Sequence, residues 1–252
     1  MRRHRVRDRI LAVCLGLMGL AGTRTLVHIS RVCAQTRFTA FTLKTELYDQ
    51  SEKLYARETV AVRSDGTRVV LRTGGPVLKP IWARKISYPD GGEVHVHEAI
   101  GARTTFQPSP TAKAQVATRL NPPANCLAED LQLLRTQVLF GQNVAVLRGK
   151  KSKSRATDLL APDLGCERLG YTYEEMTSDG AWKTVTEQKP VSLSLGEPDP
   201  KLFEIPATAV ETKPSDVSRK YRALFGQPET RQDKAQDERR DQHYSWQSAP
   251  GK

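Results

Sequence analysis

What most constrains this chain is alternation. In LYARETVAVR, Leu54 to Arg63, the residues Leu54, Ala56, Val60 and Val62 alternate with polar neighbours; the run stops at Ser64-Asp65-Gly66 and resumes as TRVVLRT. Successive side chains of a strand point to opposite faces, so this pattern describes two strands with an apolar face each, joined by a tight turn. The preceding FTAFTLKTEL places Phe41, Leu43, Thr45 and Leu47 on one face in the same way, and IWARKISY and EVHVHE repeat the hairpin around Pro89-Asp90-Gly91-Gly92. Hairpins in series need no long crossovers, and they make an antiparallel meander with one apolar side.

The second half repeats the theme after a break. Residues 107–125, QPSPTAKAQVATRLNPPAN, read as a connection with a short helix around Ala112 to Leu120. LAEDLQLLRTQ carries helical spacing in Leu127, Leu131 and Leu134, while a strand starting near Val138 competes for its end. Strand signals then run through VLFGQNVAVLRG, ATDLLAP, CERLGYTYEEMT, AWKTVTEQ and KPVSLSLG. A short helix follows at SDVSRKYRALFG, residues 215–226, with Ser215 as N-cap and Gly226 as its stop. Residues 227–252 are polar and of mixed charge, too poor in aliphatic side chains to offset their ordering entropy, and are expected to be disordered. The expected fold is mostly β: a curved antiparallel sheet or incomplete β-barrel over residues 35–214, one or two short helices, and a disordered C-terminal tail.

The N-terminus accounts for most of the charge. MRRHRVRDR puts five arginines ahead of the 13 uncharged residues Ile10 to Gly22, the pattern of a secretory signal peptide spanning residues 1–34, with cleavage after Ala34 or, alternatively, Ala21. An uncleaved anchor is the competing reading, but a span needs about 20 apolar residues and Arg24 interrupts the run. Export to the periplasm or the outside is therefore expected. Without residues 1–34 the net charge falls from +11 to +5, with 32 basic and 27 acidic residues. The only dense basic run left is Lys150, Lys151, Lys153 and Arg155, the composition of a solvated loop, which points away from nucleic acid as a partner. The two cysteines beyond the leader, Cys126 and Cys166, are in an oxidising compartment most simply a disulfide; the competing reading is two buried thiols.

One stretch ends the strand pattern: LGEPDPKLFEIPA, Leu195 to Ala207. Asp199 is suited to cap a helical turn, Pro200 to start it and Pro206 to stop it, leaving Leu202, Phe203 and Ile205 too apolar for water. The turn is expected to press onto the open end or face of the sheet as a plug. The order LLAPDLGCERL, further strands, then SLGEPDPKLFEIPA resembles uncharacterised exported bacterial proteins, themselves similar to the lipoprotein-localisation-factor family. That resemblance implies an incomplete β-barrel around a helical plug, with a concave apolar cavity suited to an acyl chain or a hydrophobic peptide. It transfers no catalytic residue.

Catalytic and cofactor motifs are sparse. His95 and His97 share a strand face and offer two nitrogens to a metal, where a zinc site wants three or four ligands. Between the leader and the tail they are the only histidines, which argues against a serine or cysteine triad. There is no G-x-G-x-x-G and no phosphate-binding loop, so no cofactor is expected. Trp82, Tyr171 and Tyr173 fall in strands and are candidates for a ligand groove or partner surface. Three readings follow. The first is a non-enzymatic envelope protein binding a lipid, a hydrophobic peptide or an envelope partner. The second is a scaffolding protein without a small ligand, and the third a metal-dependent enzyme built on His95 and His97.

Overall fold

The structure is a computed structural model that describes residues 38–74, 83–120, 122 and 126–242. The expected leader, Trp82 and residues 243–252 lie outside the described residues. Alternation becomes strands β1 (Phe41–Asp49), β2 (Leu54–Val62), β3 (Arg68–Gly74), β4 (Arg84–Ser87), β5 (Glu93–His97) and β6 (Ala102–Phe106). The second series is β7 (Leu131–Leu139), β8 (Gln142–Lys150), β9 (Ser154–Ala161), β10 (Glu167–Met176), β11 (Trp182–Leu195) and the two-residue β12 (Val210–Glu211).

All twelve strands form one open, curved sheet in the order β12-β6-β5-β4-β3-β2-β1-β11-β10-β9-β8-β7. Each meander pairs with itself, and β1 joins the two by pairing with both β2 and β11. Only β12 runs parallel to its neighbour, setting Val210 beside Ala102. β7 resolves the ambiguity of Leu127 to Gln137 in favour of a strand. The two-residue turn Phe140-Gly141, both at positive φ (51° and 75°), folds it onto β8, and ladder hydrogen bonds outweigh a helical spacing that buries little.

The core follows the strand period. Phe41, Leu43, Val60, Val62 and Val70 turn to the inner face and are joined there by Ala161, Leu164 and Leu169 from the β9–β10 region. Their immediate neighbours Ala61 and Val69 turn outward and meet Ile86. Asp199 accepts a hydrogen bond from the Lys201 amide at 2.9 Å and starts the turn Pro200–Phe203. Leu202, Phe203 and Ile205 pack on Ala61, Val69 and Ile86, with the Arg63 guanidinium 5.0 Å above the Phe203 ring. The expected plug therefore covers the outer face, opposite the main core. The apolar patch it needs exists there because β2 and β3 carry small or branched residues at both parities.

Three helices accompany the sheet among the described residues: α1 (Pro110–Leu120), α2 (Pro214–Leu224) and α3 (Arg231–Gln242). α2 buries Val217 and Tyr221 against Ala102 at the β6 end. Its N-cap position is Lys213 and not Ser215. The Ser215 amide and hydroxyl instead donate to the Asp241 carboxylate of α3, at 3.1 and 2.6 Å. α3 lies within the stretch expected to lack order. Besides the Ser215–Asp241 bonds, Thr230 and Asp233 cap each other reciprocally, and Arg222 of α2 donates to Asp237 at 2.6 Å. Charge pairing replaces the apolar face that the composition lacks.

Candidate functional site

α1 crosses the inner face. It comes close enough to the β9–β10 turn that a Cβ on Gly165, whose φ is +70°, would sit 2.8 Å from the Arg119 carbonyl oxygen. Cys126, shortly after the helix, is bonded to Cys166 with an S–S distance of 2.05 Å, tying this cover to the sheet. Beneath α1 lies a cavity of about 520 Å³, lined by β2, β3, β9, β10 and β11 below and by Gln115, Thr118 and Arg119 above.

The cavity is polar. Arg68 donates twice to the buried carboxylate of Glu167, at 2.7 and 3.2 Å. Burial pushes the Glu167 carboxyl up, but the charge and hydrogen bonds of Arg68, with Arg119 and Arg168 behind it, outweigh this and hold it below the usual range. Glu58 accepts from Arg72 at 2.8 Å and from Gln188 at 3.3 Å, and Gln188 also donates to Thr45 at 2.8 Å. Asp158 lies 3.6 Å from Arg168, and burial raises its pKa.

The expected site residues scatter. Tyr171 is half-buried beside the cavity, paired across strands with Gln188 and Asp158, and Arg168 stacks 4.5 Å over its ring. Tyr173 donates to Glu175 at 3.1 Å, farther along the same strand. His95 and His97 stand on β5, away from the cavity lining. His95 lies 3.3 Å from a Glu93 oxygen and 4.7 Å from the Phe106 ring, and His97 is buried edge-on to Tyr221. Burial, with the nearby His95 charge, lowers the His97 pKa to about 4. Among the described residues no three His, Cys, Asp or Glu side chains gather in a metal-binding group.

Sequence reasoning did not single out Arg68, Glu167, Glu58, Gln188 or Arg119. A signal existed for two of them: Glu58 shares parity with Val60 and Val62, and Arg68 with Val70, so a charge recurs on a face otherwise apolar. Glu167 and Arg119 had none, since long-range packing alone brings them together.

No protein-family model and no curated protein matches the chain. Among solved structures, similar ones include an uncharacterised conserved protein from Thermus thermophilus, 12% identical with a TM-score of 0.42, covering 72% of this chain and 96% of that one. A chain of the Pseudomonas aeruginosa MucA/MucB complex is 16% identical with a TM-score of 0.38, covering 73% of this chain and 62% of that one. A LolA superfamily protein from Nitrosomonas europaea is 12% identical with a TM-score of 0.28, covering 68% and 91% respectively.

Proposed function

We propose that this chain is a non-enzymatic, exported protein of the cell envelope that binds a partner protein along its β7 edge and carries no acyl chain. The observation that carries this reading is the contrast between a filled inner face and a bare edge. Phe41, Leu43, Val60 and Val62 are at most 2% exposed because residues of the β9–β10 region occupy the space an acyl chain would need. The cavity beneath α1 on this face is lined by ion pairs, and burying a charged group against a hydrocarbon costs several kcal/mol. β7, by contrast, is nine residues long and ends the sheet; among the described residues no strand pairs with its outer side. Leu133 at 38%, Phe140 at 41% and Val138 at 71% exposure stand on it or at its turn. A long edge strand with exposed apolar side chains is a template for strand addition by another chain.

Two measurements test this. Mass spectrometry of solvent extracts from protein purified without detergent is expected to find no stoichiometric lipid; one lipid per chain overturns the reading. Crosslinking in intact cells through a photoreactive residue at Val138 is expected to trap a defined envelope protein, and a reagent at exposed Glu129 is the control.

A further inference from the structure

Arg119 stands in the last turn of α1, with its half-buried side chain on the wall of the polar cavity. Three arginines line that cavity, and two of them have carboxylates: Arg68 holds Glu167 through two hydrogen bonds, and Arg168 lies 3.6 Å from Asp158. Glu58, which also lines the cavity, is engaged by Arg72 and Gln188. Among the described residues no carboxylate lies within ion-pair distance of the Arg119 guanidinium, and no hydrogen bond engages it. Gln115, one helical turn earlier, lines the same cavity and adds an amide donor.

We propose that the cavity beneath α1 is a binding site for a carboxylate group, held by the Arg119 guanidinium and the Gln115 amide. Arg68 and Arg168 are matched by Glu167 and Asp158, and Glu58 is held by Arg72 and Gln188, so Arg119 is the lining cation with no carboxylate at ion-pair distance among the described residues, a place for one further carboxylate. The planar fork of a guanidinium matches a carboxylate through two parallel hydrogen bonds, and partial desolvation strengthens them. Burial first, and the charge of Arg68 second, work against the Arg119 cation, and the carboxylates of Glu167 and Glu93 offset this only in part, so a bound anion relieves the remaining cost. The group belongs either to a free small acid or to an acidic side chain of a bound peptide; both present the same two oxygens.

The test is an NMR titration of the mature protein that follows arginine Nε–H resonances at constant ionic strength. The probes are acetate, an acetyl-Gly-Glu-Gly-amide peptide and inorganic phosphate, with chloride as control. The expected result is a saturable shift with acetate or the peptide, weaker with phosphate, and at least about tenfold weaker binding in Arg119→Gln, the loss expected for a charged hydrogen bond. Acetate binding as well as the peptide does points to a free acid, and peptide preference to an acidic side chain. Shifts that chloride reproduces, tighter binding of phosphate, or unchanged binding in Arg119→Gln each overturn the proposal. Arg119→Lys keeps the charge without the fork and is expected to bind at an intermediate level; the wild-type probes decide the matter if Arg119→Gln does not fold. Val138→Lys leaves this titration unchanged, so the carboxylate site and the β7 partner reading fail separately.

Discussion

The two ends of the sheet are finished differently. At one end β12 supplies only two residues, and its Glu211 side chain does the work of a further strand. It accepts from the Thr105 amide of β6 at 2.8 Å, from the Thr105 hydroxyl at 2.9 Å and from Arg103 at 3.1 Å. α2 packs behind it, and α3 clasps α2 through the Arg222–Asp237 ion pair and the Ser215–Asp241 hydrogen bonds. At the other end β7 is long and exposes Leu133 and Val138 among the polar Gln132, Arg135 and Thr136, yet it lies beside the apolar cluster of Leu131, Ala145, Leu147 and the Cys126–Cys166 bond. Proteins usually blunt their sheet edges with short strands and inward-pointing charges; β12 follows that rule and β7 does not. The end that is covalently stapled is the end left open, and a rigid edge gives a partner strand a pre-organised template.

The largest expected effect tests the staple. Replacing Cys126 and Cys166 by serine opens a loop of 40 residues and is expected to cost about 4 kcal/mol in the chain-entropy model, read by urea unfolding at neutral pH. A cost near zero would mean that the β7 end needs no staple. Glu167→Leu leaves Arg68 buried and unmatched and is expected to cost about 3 kcal/mol. Adding Arg68→Met to it is expected to recover most of that loss, which a double-mutant cycle measures.

The β12 end is expected to be the acid-sensitive one. His97 binds a proton only near pH 4 when folded but near its ordinary 6.5 when unfolded. Acid therefore favours the unfolded chain. Stability is expected to fall as pH drops from 6.5 to 4, by on the order of 3 kcal/mol. His97→Leu flattens that slope, and hydrogen exchange in acid reports α2 opening before β7. Thr230→Ala removes half of the reciprocal cap on α3 and is expected to cost about 1 kcal/mol, confined to faster exchange over residues 231–242. The smallest effect on stability belongs to Val138→Lys, expected within about 0.5 kcal/mol because the side chain is largely in water. The same change is expected to abolish the crosslinked partner. A large stability loss instead would mean that β7 is buried in the native assembly.

Much of the architecture was legible in the residues. Period-two runs located β1 to β5 and most of the second meander, while β6 went unread, and the prolines around Asp199 and Phe203 marked a fixed turn. Within the tail, α3 was hidden to a reading that weighs apolar content alone; its signal is the reciprocal cap in Thr230-Arg231-Gln232-Asp233. The cavity was illegible for a different reason. Arg68 and Glu167 are 99 residues apart, and neither position alone says that a carboxylate will reach a guanidinium.

The sequence by itself determined where most of the strands and turns fall, since alternation and turn chemistry act over a few residues. Only the tertiary structure decided strand order, the face that the Phe203 turn covers, which charges meet beneath α1, and which edge stays bare. Those depend on pairings between residues far apart in the chain, and a pattern of period two reads the same whichever side of the sheet becomes the inside.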